Sequence, residues 1–234
     1  FYFDGTYRFV YDPWDPAQKD KIFGGDYDPS GSRLSLQLPG KGKVIRRFPC
    51  VAGIDSAGTV VESSDSRFKA GDEVIATSYD LGVAHDGGFA QYVRAKADWV
   101  VPLPAGLSLY ESMALGTAGY TAGLAIELAE KNDLAPDRGN VLVNGATGGV
   151  ASLVIDMLAK LGYAVTALTG KAGEASYLQS LGAAEVQDRN TLELGSRPLE
   201  RTLWAGAFDS VGGEQLGWLT RTMQQNGVIA AFGN

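Results

Sequence analysis

Residues 141–152 read VLVNGATGGVAS, an apolar run that passes directly into a glycine-rich turn and then a helix. Val141, Leu142 and Val143 have the composition of a strand covered on both faces. Gly145, Gly148 and Gly149 leave the backbone bare where the chain turns tightly and a ligand approaches closely. From Ala151 the apolar residues fall at Ala151, Val154, Ile155, Leu158 and Leu161, the spacing of a helix with one face in a core. The unpaired N–H groups at such a helix start, with the helix dipole, suit phosphate, so the segment describes a place for a dinucleotide's pyrophosphate. With 31 glycines in the chain a glycine pattern alone is weak. Its position between an apolar strand and an amphipathic helix is what gives it weight against an ordinary βα turn.

The rest of the composition narrows the chemistry. A chain of 234 residues is long enough for one large domain or two modest ones, each with a core. Apolar residues at 45% and charged residues at 20% describe a globular protein rather than a disordered one. A net charge of −7 argues against nucleic acid or an anionic membrane surface as partner. No apolar run approaches bilayer length, and the start FYFDGTYRFVYD lacks a secretory pattern, so the expectation is a cytoplasmic protein. That start also lacks a methionine, which suggests a processed or excised piece. One cysteine, Cys50, excludes an internal disulfide, and one histidine, His85, leaves no zinc-binding pair. His85 reads as a loop residue and Cys50 as a packed thiol.

Two kinds of organisation follow one another. Residues 51–61, 73–77, 89–94 and 99–103 are rich in Val, Ile, Tyr and Trp and read as short strands of a compact β-barrel-like domain. Residues 1–45 are less readable, with turn-like stretches at DPWDPAQKD and DYDPSGSR. Ser108 and Glu111 then form a capping-box pattern that opens an alanine-rich helix, with a break near Gly116–Gly119. Strands at 141–144, 164–168, near 185–186, 206–211 and 227–232 alternate with helices at 149–161, 174–181 and 214–223. This alternation predicts a parallel, doubly wound α/β sheet. The boundary is expected near residue 110, giving 1–110 and 111–234. Because Asn234 follows a strand directly, the fold is expected to lack its last strands and to expose a sheet edge, which leaves a homodimer open.

The end of the second strand indicates which dinucleotide. An NAD site places an acid there for the ribose hydroxyls. This strand, AVTAL, ends instead in Thr169-Gly170-Lys171. An acid would repel a 2′-phosphate, whereas Lys171 pairs with one and Thr169 offers a hydroxyl. Arg189, after the third strand, supplies a second cation. Solvated surface charge is the alternative for both bases. The missing acid and the lysine together point to NADPH.

These residues resemble a family. The stretches GKGKVIRRFP (40–49), GIDSAGTVVESSDSRFKAGDEV (53–74), HDGGFAQYVRAKADWVVPLP (85–104), GTAGYTA (116–122), GATGGVAS (145–152), TGK (169–171), YLQSLGA (177–183), RPLE (197–200) and WAGAFDSVGG (204–213) are similar to the zinc-independent medium-chain reductases. Within them the likeness is to the acrylyl-CoA reductase and quinone oxidoreductase branch. It implies a GroES-like β domain packed against a Rossmann domain, with NADPH in the cleft between them. It implies phosphate contacts at Thr147, Gly148, Gly149 and Val150, and an adenosine phosphate at Thr169, Gly170, Lys171 and Arg189. Thr117 and the backbone of Phe232, Gly233 and Asn234 would lie near the nicotinamide.

Three departures qualify what the resemblance implies. The third glycine of the fingerprint is Ala151 here, still small enough for close helix–strand packing. The family motif SSLNYKD aligns onto Asp28–Leu34, so its tyrosine is Ser32, its asparagine Gly31 and its aspartate Leu34. Family members also continue well past Asn234. The expected activity is NADPH-dependent hydride transfer to an activated C=C, as in an acrylyl-CoA-like enoyl thioester, or to a quinone. No proton donor is assigned. A noncatalytic NADPH-binding protein, or an incomplete piece of the enzyme, remains the alternative.

Overall fold

The computed structural model describes residues 50–195 and 200–233, which fall into two compact units, Phe1–Thr117 and Ala118–Asn234. In the first unit β1 (Asp55–Thr59), β2 (Glu73–Thr77) and β3 (Val100–Pro102) form an antiparallel sheet in that order. The register pairs Ala57 with Ile75 and Ala76 with Val100. Ala76, Leu81 and Trp99 make a small core beneath it. The Lys69–Asp72 turn forms before β2, with the Asp72 carboxylate accepting from the Lys69 amide at 2.9 Å.

One strand expected here does not form. Residues 89–94 bend instead of pairing in a ladder. The amides of Gly87, Gly88 and Phe89 donate to the carbonyls of Val51, Gly53 and Ala52, and Ala90 N–H turns back to Gly88. Side chains at Gly87 and Gly88 would collide with the carbonyl oxygens of Gly53 and Asp55, so the two backbones meet too closely for ordinary strand packing. The strand read at 51–61 shortens to β1, and Trp99 ends a 3-10 turn before β3.

Helix α1 (Leu109–Lys131) spans the sequence boundary of the units and is broken at Gly116, whose φ of 49° is open to glycine. The capping box at its start is present: the Ser108 amide donates to Glu111 at 2.9 Å, and the Glu111 amide to Ser108 Oγ at 3.2 Å.

The second unit is a five-stranded parallel sheet. Its strands are β4 (Val141–Asn144), β5 (Val165–Thr169), β6 (Glu185–Asp188), β7 (Trp204–Asp209) and β8 (Met223–Ala231), in the order β6-β5-β4-β7-β8. That is the order of the first five strands of a doubly wound dinucleotide fold. The helices are α2 (Gly149–Lys160), α3 (Ala175–Ser180) and α4 (Gly213–Thr222).

Alternation along the strands separates two cores. Val141, Val143, Val165, Ala167 and Phe208 pack with α2's Val154, Ile155 and Leu158 and with Ala122, Ile126 and Ala129 of α1. Leu142, Leu168 and Ala207 point the other way, to α4's Trp218 and Leu219. Each wholly buried Val, Leu or Ile contributes about 1.5–3 kcal/mol, so the α2 stripe alone anchors the glycine turn before it. Strand β8 begins at Met223, earlier than the expected 227, and its register against β7 shifts between Trp204 and Gly206. Asn226, at φ 62°, lies in that irregular stretch.

Candidate functional site

Strand β4 lies between β5 and β7, where the sheet changes winding direction and ligands settle beyond the strand ends. The glycine turn leaves the sheet there. Gly145 has φ 67°, and a Cβ on it would run into Ser210 Oγ, so only glycine fits. Its amide is held by Asn144 Oδ1 at 2.8 Å, and Gly148 N–H closes the turn onto the Gly145 carbonyl at 2.8 Å. Helix α2 then starts from Gly148 with no side-chain cap and no acid in its first turn. The amides of Gly149 and Val150 have no carbonyl one turn back to meet. Gly148 and Gly149 are exposed, and a Cβ on Gly149 would meet only Ala118 Cβ, 3.9 Å away. Thr147 and Val150 flank them half-buried. An open, positively polarised helix start with bare backbone around it fits a pyrophosphate. Ala151, in place of the third glycine, is fully buried in the α2 core.

A second cluster forms at the ends of β5 and β6, where Thr169 and Asp188 are register neighbours. Thr169 is buried, and its Oγ1 accepts the Lys171 amide at 3.1 Å, which shapes the turn. The Arg189 guanidinium lies over Gly170, whose absent Cβ would be 2.7 Å from Nη2. Lys171 and Arg189 are both exposed, and among the described residues neither has an ion-pair partner. Thr169, Gly170, Lys171 and Arg189 are therefore together. Lys171 after β5 and Arg189 after β6, with no acid at the end of β5 itself and Asp188 of β6 capping the Asn190 amide at 2.8 Å, fit a phosphate better than bare ribose hydroxyls.

The ends of β7 and β8 complete this edge. Asp209, 1% exposed, accepts from Asn144 Nδ2 at 2.7 Å and from the amides of Val211 and Gly212 at 3.3 and 2.9 Å. Ser210 Oγ donates to the Asn144 carbonyl, tying the loop after β7 to the glycine turn. Phe232 and Gly233 N–H both donate to the Asp209 carbonyl, and Gly233 packs directly on Ser210 backbone. Phe232 and Gly233 thus stand beside the glycine turn. Asn234 lies outside the described residues, as does the Asp28–Leu34 segment with Ser32. The Asn144–Asp209–Ser210 network went unread in the sequence, although each residue marks the polar end of an apolar strand.

Thr117 belongs to the first unit. Its amide and Oγ1 donate to Asp55 at 3.1 and 2.7 Å, and its hydroxyl is 3.3 Å from Ser78 Oγ. Gly116 must be glycine here because a Cβ would meet Asp55 Oδ2 at 2.8 Å. Asp55 was not singled out from the sequence; its one signal was an acid inside the otherwise uncharged VAGIDSAGTVV. Ser78 and Tyr79 both have positive φ, 67° and 54°, a strain held beside this cluster. His85 is a loop residue, edge-on to Trp99 with ring centroids 5.3 Å apart, and Cys50 is buried with Sγ 3.3 Å from the His85 carbonyl. Among the described residues no His, Cys, Asp and Glu cluster could hold a metal, and no helix is long and apolar enough to cross a membrane.

Comparison with known proteins accords with this geometry. Residues 33–105 match the alcohol dehydrogenase GroES-like domain. Over 207 residues the chain is 49% identical to a Bacillus subtilis protein named "Putative quinone oxidoreductase YhfP", covering 87% of this chain and 63% of that one. It is 48% identical to the acrylyl-CoA reductase AcuI of Ruegeria pomeroyi, covering 83% and 59%. Over most of its own length the chain is thus similar to oxidoreductases of the medium-chain dehydrogenase/reductase family. It spans about three-fifths of the length of these relatives. The crystal structure of the Salmonella enterica yhdH oxidoreductase in complex with NADP superposes with a TM-score of 0.80 at 47% identity, over 86% of this chain and 63% of that one. B. subtilis yhfP, crystallised with NAD bound, gives 0.79 at 49% identity, over 82% and 58%.

Proposed function

We propose that this chain is part of an NADPH-dependent reductase that transfers hydride to an activated carbon–carbon double bond or to a quinone. The observation that carries the reading is the uncapped start of α2 after the glycine turn, with the Lys171 and Arg189 cations on the same sheet edge. Similarity to proteins named as an acrylyl-CoA reductase and a quinone oxidoreductase supports the activity, and the NADP in yhdH supports the cofactor.

NADPH, when bound, supplies the hydride. The amides around Thr147, Gly148, Gly149 and Val150 hold its pyrophosphate. Thr169, Gly170, Lys171 and Arg189 hold the adenosine phosphate through charge-assisted hydrogen bonds. Within the second unit the backbone of Phe232 and Gly233 would serve the nicotinamide end, and within the first unit Asp55 holds Thr117, the other position the resemblance assigns to it. With the hydride carried by the cofactor, the protein's work is orientation and exclusion of water. The first unit serves the substrate and the second the cofactor, in a reducing compartment such as the cytoplasm.

The test is NADPH oxidation followed with acrylyl-CoA and with a simple quinone, before and after dialysis against a chelator. Turnover that survives the chelator supports the reading. Tight NADPH binding without turnover of either acceptor contradicts it, and activity that zinc restores contradicts the metal-free chemistry.

A further inference from the structure

Asp209 is the one buried acid among the described residues, and the cofactor contacts above make no use of it. It ends β7 in register with Asn144 at the end of β4, and Asn144 is itself fully buried. The partners of the Asp209 carboxylate are all donors: Asn144 Nδ2 and the Val211 amide on Oδ1, and the Gly212 amide on Oδ2. They leave Asn144 one orientation. A carboxylate only accepts, so the side-chain amide must turn its NH2 to Asp209. Its oxygen then takes the Gly145 N–H at 2.8 Å. The Gly145 carbonyl in turn accepts Gly148 N–H, the bond that closes the turn just before α2. A glycine has the widest backbone freedom of any residue, so Gly145 keeps φ 67° only while something outside it holds it there. The buried charge orients the Asn144 amide, that amide holds the first residue of the turn, and the turn sets where the free Gly149 and Val150 N–H groups point.

We infer that Asn144 is a positioning residue for the dinucleotide: oriented by Asp209, it presets the glycine turn so that the α2 amides meet a pyrophosphate already in place. The inference rests on the reading of that turn as the cofactor site. A loop fixed in its bound conformation binds more tightly because the cost of ordering it is not charged to binding. Asn144 touches neither cofactor nor substrate and acts only through Gly145. An apolar side chain at 144 would leave the Gly145 amide without its acceptor and Asp209 without one of its donors, so the fully buried end of β4 needs both functions of an amide at once.

The experiment titrates NADPH and adenosine 2′-monophosphate into the whole chain by calorimetry, for wild type, Asn144→Ala, Asn144→Ser and Leu134→Ala. Amide exchange at Gly145 and Gly148 is followed in the same proteins without ligand. Adenosine 2′-monophosphate has no pyrophosphate and reports the Lys171–Arg189 cluster alone. Leu134 packs on Gly206 at the opposite end of the sheet from the turn, so Leu134→Ala lowers stability without touching the turn. Asn144→Ala should raise the NADPH Kd about tenfold or more and leave that of adenosine 2′-monophosphate within twofold. Its Gly145 and Gly148 amides should exchange faster than those of Leu134→Ala, in which the NADPH Kd stays within twofold of wild type. Asn144→Ser, whose hydroxyl both donates and accepts, should recover part of the lost affinity. If Asn144→Ala does not fold, Asn144→Ser carries the test with about a threefold rise in the NADPH Kd. A folded Asn144→Ala that binds NADPH as wild type does overturns the inference. So does an affinity that falls equally in Leu134→Ala, or a loss of adenosine 2′-monophosphate binding as large as the loss of NADPH. Faster exchange at Gly145 and Gly148 in Asn144→Ala, in a protein whose wild type does not bind NADPH, upholds the hold on the turn and sinks the cofactor reading instead.

Discussion

Two helix starts in this chain put the same physical property to opposite use. At Gly149 the start of α2 is left open: its cap is Gly148, its first turn has no acid, and its glycines face solvent. At Gly116 helix α1 breaks and restarts, but there the Thr117 amide is taken by Asp55 from a strand 62 residues earlier. A helix start concentrates unpaired N–H groups and partial positive charge wherever it occurs. Only where no side chain satisfies it is it available to an anion. The open start is the candidate phosphate site, and the closed one is a fastening within the first unit.

The largest expected effect comes from closing the open start. Gly148 has φ −75° and ψ 157°, a cap conformation any residue adopts. Gly148→Asp should place a carboxylate on the amides that would bind phosphate. Losing one or two charge-assisted hydrogen bonds at about 1.5–3 kcal/mol each, with added repulsion, predicts roughly 100-fold or more weaker NADPH binding. Thermal stability should hold or rise by a few tenths of a kcal/mol, as expected for a better cap. A variant that binds NADPH as wild type does would remove the helix start from the site.

Opening the closed start should act on stability instead. Asp55→Ala leaves the Thr117 amide and hydroxyl without their acceptor and should cost about 1–2 kcal/mol in denaturant unfolding. Asp55→Asn, which keeps one acceptor, should recover part of that. If Asp55→Ala unfolds at the wild-type midpoint, the fastening contributes nothing.

How much of this was legible depended on sequence distance. The strand, glycines and helix of the β4 turn lie within twelve residues, so backbone chemistry alone described them. Thr169 and Lys171 were equally local, and Arg189 was visible as the end of the next strand. Asp55 with Thr117, and Asn144 with Asp209 across 65 residues, are partners that only tertiary folding brings together. FAQYVR misled because strand-forming residues need a ladder partner, and the glycines before it bind Val51–Gly53 in an irregular way. Strand β8 was placed late because Asn226 and Gly227 look like a strand boundary while here they sit inside one.

The smallest effect belongs to a third helix start, the capping box of α1. Hydrogen bonds from the Ser108 amide and then its hydroxyl hold the Glu111 carboxyl below its ordinary value. A carboxylate with a lowered folded pKa stabilises above the usual carboxylate range and ceases to do so as pH falls through the folded value. Glu111→Gln should therefore lower the melting temperature slightly near neutrality and leave it unchanged in acid. A difference that persists in acid would show that charge is not the source of the effect.

The central claim, an NADPH site on the β5–β4–β7 edge, is tested most directly by titrating NADPH and NADH into wild type and Lys171→Glu. One charge-assisted contact to the 2′-phosphate contributes about 1.5–3 kcal/mol, so wild type should bind NADPH at least tenfold more tightly than NADH. Lys171→Glu should erase or reverse that preference while NADH affinity stays close to wild type. Equal affinities in wild type, or a preference that Lys171→Glu leaves intact, would contradict the account.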